Sequence, residues 1–486
     1  MKEFLKLCQP RLLAAICGWL CCFSGSGFCS EENHWGFLYD QFGLTLENGR
    51  RTEALGPFFY SQTIDSGEKT WAIPPFFSRD TNAAVESCED DFIYPLLGYD
   101  SYGQEHRWQF CQIFSIAGGQ KPDGGSQKRV TLYPFYFQQR STDTNENYTA
   151  LLPFYGHLKG RLMRDDIFVV LFPLYSETRK KDVVTDNYLY PFFDVHHGDG
   201  LRGWQLWPIV GAEHKIMTTQ TNGFGDVESI GEYKRSFFLW PFHIKQDNGI
   251  GTANPEKLRV SLPLYVVSRS PLRDSTSVVW PLFTWIDDRE KKYHEWQGPW
   301  PLVIFTRGEG KTTSRIWPLF SQSHNSTLES DSYLWPLYQH HGIHAPPLDR
   351  QSSRCLFYAY VHVTEKNTAT AAQKERLDMW PFFIWRKDFD GSSRLQVLAL
   401  LEPVLGENRG VERNWSPLWS LWREQRNPKT GAHSQSLLWN LYRRDTTADS
   451  KKCSLLFGLF QYQCNGENKK LRLFYIPVIN SHGQAN

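Results

Sequence analysis

The chain has 486 residues, with 53 basic against 52 acidic side chains and a formal charge of +1. That balance leaves no basic stripe of the kind nucleic-acid binders carry, which excludes DNA and RNA as leading partners. Aromatic residues make up 15% of the chain, including 19 Trp, while Ala-rich or Glu/Lys/Leu-rich stretches are scarce, a composition that favours strands over helices.

Residues 1–29 read as a secretory signal peptide. Lys2, Lys6 and Arg11 precede an apolar stretch from Leu12 to Phe23, and Ser24-Gly25-Ser26-Gly27 supplies a small-residue exit. The apolar stretch is short for a spanning helix, and cleavage is expected near residues 27 to 30. A lipid anchor on Cys29 is disfavoured because Phe28 stands where a small residue should precede it. Cys8, Cys17, Cys21, Cys22 and Cys29 belong to or adjoin this leader. Cys88, Cys111, Cys355, Cys453 and Cys464 remain, too scattered for a disulfide framework and without a CxxC pair for zinc, so small apolar filler is the expected role.

From there one phrase recurs about every twenty residues: an aromatic or leucine, then proline, then two large apolar residues. It appears as Tyr94-Pro95, Tyr133-Pro134, Leu152-Pro153, Phe172-Pro173, Tyr190-Pro191, Trp207-Pro208 and Trp240-Pro241. It continues as Leu262-Pro263, Trp280-Pro281, Trp300-Pro301, Trp317-Pro318, Trp335-Pro336 and Trp380-Pro381. Such a period means one supersecondary unit copied many times, so residues 30–480 read as a single β-repeat domain, followed by a tail at 481–486.

Between phrases lie polar segments: Glu177–Asn187, His196–Gly200, Arg307–Thr312 and Lys387–Ser392, where Gly, Asn and Asp suit tight reversals. Ala212–Lys234 is the one long connection. With the phrase inside a strand and one reversal per copy, the expectation is an all-β, up-and-down antiparallel meander of roughly twenty strands. In Tyr188–His196 alternation would put Leu189, Pro191, Phe193 and Val195 on one apolar face, and Tyr188, Tyr190, Phe192, Asp194 and His196 on a mixed one. Proline cannot donate to a ladder, so its recurrence predicts a belt of bends or bulges crossing the strands.

An open sheet of that width exposes hazardous edges, so closure as a large β-barrel is predicted, with a β-solenoid as the alternative. A propeller, with about four strands per forty residues, falls behind on the reversal count. The mixed second face suits lipid outside and a partly wet lumen.

The opening Phe42-Gly43-Leu44-Thr45-Leu46-Glu47-Asn48-Gly49-Arg50-Arg51-Thr52-Glu53-Ala54-Leu55-Gly56-Pro57-Phe58-Phe59-Tyr60, with the repeats behind it, resembles uncharacterised aromatic-proline repeat envelope proteins of Gram-negative, Verrucomicrobia-like bacteria. Leu189–Trp207 has a weaker likeness to the outer-membrane barrels of lipopolysaccharide assembly. The chain departs from those barrels in ending on Ser481-His482-Gly483-Gln484-Ala485-Asn486 rather than on a terminal aromatic residue. The signal peptide, the single reversal per twenty residues and the mixed second face together point to an exported protein of the outer membrane, in contact with its lipid, with a channel, transport or structural role. The alternative is a periplasmic or secreted binding scaffold, with an envelope glycan or small molecule as the open ligand.

Catalytic chemistry has little support. The chain has no Gly-x-Ser-x-Gly elbow, P-loop or His-Glu-x-x-His, and neither a cofactor nor a metal is expected. A carbohydrate-active enzyme, the third reading, would need two carboxylates brought together in space. His196-His197 and His340-His341 read as turn-flanking polar pairs whose neighbours point to opposite faces. Glu86, Glu89, Asp90 and Asp91 lack calcium-loop spacing and read as a solvated loop. Gly118-Gly119 and Gly124-Gly125 lack the strand-to-helix setting of a phosphate cradle.

Overall fold

A computed structural model describes residues 35–481 apart from 121–123, 222–226, 407 and 467, so the predicted leader and most of the tail lie outside the described residues. The protein is 61% strand and 4% helix, and 43 strands form one antiparallel meander. Each strand of this sheet pairs with its neighbours in order, from Asp40–Gly43 to Ile476–Ser481. Pairing of sequence neighbours throughout is the pattern of a meander; a solenoid pairs strands one coil apart and a propeller breaks into blades. No ladder joins the first strand to the last, so the sheet is not closed by backbone hydrogen bonds.

The number of strands corrects the expected twenty, and the reason lies in the proline phrase. The strand Val183–Tyr188 ends before it and Phe193–Gly198 begins after it. Leu189-Tyr190-Pro191-Phe192 is the turn itself, closed by the Phe192 N–H donating to the Leu189 carbonyl at 2.9 Å. The chain therefore reverses twice per repeat, at the phrase and at the polar segment. Proline sits at the third turn position, where no ladder donor is needed, and each phrase proline follows a cis bond. The predicted belt of bends is a row of turns, and the predicted alternation through Leu189 and Pro191 does not exist. The polar reversals are also tighter than expected: Glu177–Asn187 is strand on both sides of Lys181-Asp182, and His196-His197 lie within a strand. The long connection carries a separate ladder, Thr218–Thr221 against Val227–Ile230.

Apart from shifts at Glu232/Lys234 and Leu471/Arg472, register is kept along the ribbon. One row of cross-strand partners runs without slip from Asp40 through Glu53, Tyr60, Ala72, Ser78 and Asp91 to Arg423, Ser436, Arg443, Ser454, Gln461 and Arg472. All these side chains share one face. Near the proline turns that face carries mostly small or polar residues, with Phe137, Phe237 and Ile304 among the exceptions, while large ones stand opposite: Ser277 and Thr284 against Val278 and Phe283, or Ser332 against Tyr333. More bulk on one side than on the other bends a sheet toward its smaller side. A Cβ on Gly156 would lie 2.2 Å from the Ala150 Cα, and one on Gly211 2.3 Å from the Phe237 ring, so crowding there leaves room only for hydrogen.

The ends of the ribbon meet through this same face, which makes it the concave one. Between the strands Ser393–Val397 and Trp422–Asn427 the chain inserts two short helices, Arg409–Asn414 and Ser416–Trp419. The first starts on Asn408, whose side chain caps the Val411 N–H at 3.0 Å, and Pro417 opens the second. They lie across the concave face of the first strands, where Tyr60 donates to the Arg413 carbonyl at 3.1 Å. An apolar cluster of Phe137, Tyr148, Ala150, Leu158, Ile167 and Val169 anchors the concave face further along.

Candidate functional site: an apolar rim, a polar concave face and a clasp

The phrase turns line up along one rim of the ribbon. Each is hydrogen-bonded to the next: Leu189 donates to the Leu174 carbonyl and Tyr190 to that of Pro173, both at 2.7 Å, and Val279 donates to Leu264 likewise. Their aromatic rings follow suit, with Trp207 and Trp240 centroids 5.8 Å apart and Trp317 and Trp335 5.7 Å apart. Of the predicted motif residues, Tyr133, Tyr190, Trp240, Trp280, Trp300, Trp317, Trp335 and Trp380 are all exposed on this rim. Tyr94 differs: its hydroxyl accepts from Asn408 and its carbonyl from Trp415, so it seats the helical insert.

At many of the turns on this rim the opening residue is unusual. Ile93, Leu171, Leu189, Leu239, Val279, Leu334 and Leu356 have φ between 45° and 53°, in the left-handed region that favours Gly, Asn or Asp. A β-branched Val279 there is a marked outlier. Burial does not account for it, since Leu189, Val279 and Leu334 are 50%, 47% and 54% exposed. Backbone preference and folding both argue against aliphatic side chains at these positions, yet aliphatic side chains occupy them.

The first outward residue of most strands extends the apolar rim down the convex face, with His243 and Ser261 as polar exceptions: Tyr155, Tyr188, Phe193, Phe238, Phe283 and Tyr333 are exposed there. Further along the strands the same face turns ionic, with pairs such as Arg259–Asp247 at 2.7 Å and His362–Glu375 at 2.8 Å. The opposite rim is built mainly of polar turns such as Lys181-Asp182, Glu309-Gly310-Lys311 and Asn325-Ser326-Thr327, with scattered exposed apolar side chains at Val85, Leu162, Met163, Ile216, Met217, Leu272 and Phe389. The concave face carries cross-strand polar contacts, among them Ser277 to Thr284 at 2.8 Å and Thr306 donating to Glu295 at 2.8 Å. Asp378, fully buried, is held there by Arg376 at 2.7 Å and by Arg386.

Where the ends meet, charge is buried. Arg413, 9% exposed at its side chain, lies 3.2 Å from Asp80, 2.6 Å from Glu89 and 2.9 Å from Asp91. Burial opposes its charge, but these carboxylates outweigh it and raise its pKa. Asn414 donates to Asp91 as well, at 3.1 Å. A second contact joins Asn440 to Asp40 at 3.2 Å and to Glu53 at 2.7 Å, and the Arg443 guanidinium stacks 3.3 Å over the Phe42 ring. Burial pushes the Glu53 carboxyl up, while Arg51, Arg423 and Arg443 together bring it below its usual value. The acidic run expected as a solvated loop is thus mostly the strand Ser87–Phe92, whose carboxylates alternate: Glu89 and Asp91 face Arg413, and Asp90 pairs with Arg79 at 2.6 Å.

The paired histidines do separate to opposite faces. His196 lies 2.7 Å from Asp194, and His197 3.8 Å from Asp186. His340 meets Ser353 at 3.0 Å, and burial lowers the pKa of His341. Gly118-Gly119 belong to the strand Phe114–Gln120. Cys88, Cys111, Cys355, Cys453 and Cys464 are free thiols. His324, Glu329 and Asp331 gather on the convex face, but the ring itself fills the gap, with Nδ1 3.5 Å from Glu329 and Nε2 3.4 Å from Asp331. Each ring nitrogen thus faces one carboxylate. No helix among the described residues is long and apolar enough to cross a membrane. No protein-family model matches the chain, and no curated protein matches it either.

Proposed function

We propose that the chain is an exported envelope protein that works at the lipid of a bacterial outer membrane, as a barrel-like scaffold with a structural or conduit role. The observation that carries this reading is the rim: exposed Trp, Tyr, Phe and Leu side chains run along one border of the ribbon, and predominantly polar turns along the other. Trp and Tyr favour the boundary between water and hydrocarbon, and apolar surface on this scale marks a membrane or an interaction site. The leader supports export. The clasp between first and last strands supports a ring-like closure made by side chains, around a concave face of hydroxyls, amides and ion pairs.

Fractionation of cells expressing the full chain tests it. The protein should stay with the membrane pellet through salt and carbonate washes. Recovery in the soluble periplasmic or secreted fraction refutes the membrane reading and favours a soluble scaffold.

A further inference from the structure

We infer that the protein sits on one leaflet, with its proline rim immersed in the lipid and its polar rim in water, and does not span the bilayer. This rests on the proposal that the protein works at a lipid surface, and names the part that touches it.

Strand length argues against spanning. The strands run from four to eight residues, and a six-residue strand reaches about 20 Å, whereas a tilted strand needs about 9–11 residues to cross a hydrocarbon core of about 30 Å. The apolar zone is shorter still. It comprises the rim turns and the first outward residue, with a second aromatic such as Trp204 or Trp285 in places, before ion pairs take over. Two outward positions span about 7 Å, which matches the depth of about 5–10 Å to which interfacial elements bury their apolar side.

The rim also selects lipid over a protein partner. With 43 strands about 4.8 Å apart, its contour is about 200 Å, far beyond a standard protein interface. A lipid surface is continuous over that length and makes no demand on the shape of each turn. The left-handed aliphatic residues point the same way. Gly or Asn would suit the backbone of Leu189, Val279 and Leu334, so their side chains are explained by an apolar medium outside the protein. A net charge of +1 predicts that anionic lipid is not required.

The test uses the purified full chain, zwitterionic phosphatidylcholine vesicles and the triple variant Leu189→Asn, Val279→Asn, Leu334→Asn. Asn tolerates the left-handed backbone, so folding is kept while the rim loses apolar area. Wild type should float with the vesicles in 1 M salt without releasing an entrapped dye. Partitioning of the variant should fall roughly tenfold per substituted residue, estimated from the lost apolar contact. Leu162→Asn with Met163→Asn on the opposite rim should leave it unchanged. Flotation accompanied by dye release or ion conductance overturns the one-leaflet inference while leaving the membrane reading standing. Undiminished binding of the triple variant, with its circular dichroism unchanged, does the same. Failure of the wild type to float on either zwitterionic or anionic vesicles removes the membrane reading itself.

Discussion

Replacing Arg413 with Met should open the clasp without melting the ribbon. The guanidinium is the common partner of Asp80, Glu89 and Asp91, whose side chains are 14%, 42% and 6% exposed. Glu89 can turn to water; Asp91 and Asp80 cannot do so without breaking the packing. Removing one member of a buried pair costs about 3–5 kcal/mol, because the other charge stays behind without a counter-ion, and the partial exposure of this site places Arg413→Met near the lower bound, about 3 kcal/mol. In a repeat ribbon each strand is held by its neighbours, so the cost falls on the docking of the ends and not on the ladder. Hydrogen exchange read by mass spectrometry checks this. Amides of the helical insert, residues 409–419, should exchange on the order of a hundredfold faster, with the distant strands 256–288 unchanged. Adding Asp91→Asn should restore part of the protection, since it removes the stranded charge. Unchanged exchange in the insert, acceleration spread over the whole chain, or a double variant worse than the single one would refute the reasoning.

Three further outcomes follow from the geometry. Glu53 has a folded pKa below its ordinary 4.5, so its contribution is present above pH 4.5 and lost as pH falls through the folded value; exchange protection of strands Gly49–Ala54 and Trp422–Asn427 should drop on acidification below 4.5, and a flat profile contradicts the assignment. The hydrogen bond to Asp194 raises the His196 pKa above 6.5, so its contribution is complete below 6.5 and disappears as pH rises through the folded value. An NMR titration should place His196 above 6.5 and Asp194→Asn should bring it back; equal midpoints in the two proteins count against the pair. Gly156→Ala should destabilise its strands by about 1–3 kcal/mol, because the new methyl lies 2.2 Å from the Ala150 Cα and Cβ. Local exchange around residues 148–170 reads this, Ala150→Gly should relieve part of it, and no change in either variant would mean the concave face is not crowded.

Much of the fold was legible in the residues. The period of the phrase, the Gly, Asn and Asp of the polar turns and the aromatic composition suffice for an all-β antiparallel meander of repeats. They do not suffice for the strand count. A stretch such as Tyr188–Val195 is apolar throughout, and alternation cannot tell a continuous strand from two strands whose connecting turn is also apolar. The usual rule that turns are polar fails here because this rim is exposed and apolar at once. Proline was the available signal: it is misplaced inside a ladder and at home at the third position of a turn.

What only the tertiary structure decided are the relations between distant residues. Curvature depends on which side of a fixed row holds the small residues, and that row links Asp40 to Arg472 through every strand between them. The acidic run at 86–91 looked like a solvated loop because its partner, Arg413, stands more than three hundred residues away in an insert with no repeat phrase. Likewise, the conflict between left-handed backbone and exposed aliphatic side chain at Leu189, Val279 and Leu334 needs both φ and exposure to be seen. Local pattern determined the repeat unit, because turns and strands are set by nearest neighbours. The meeting of the ends and the exposure of the rim arise from how many units curl together, which no single unit encodes.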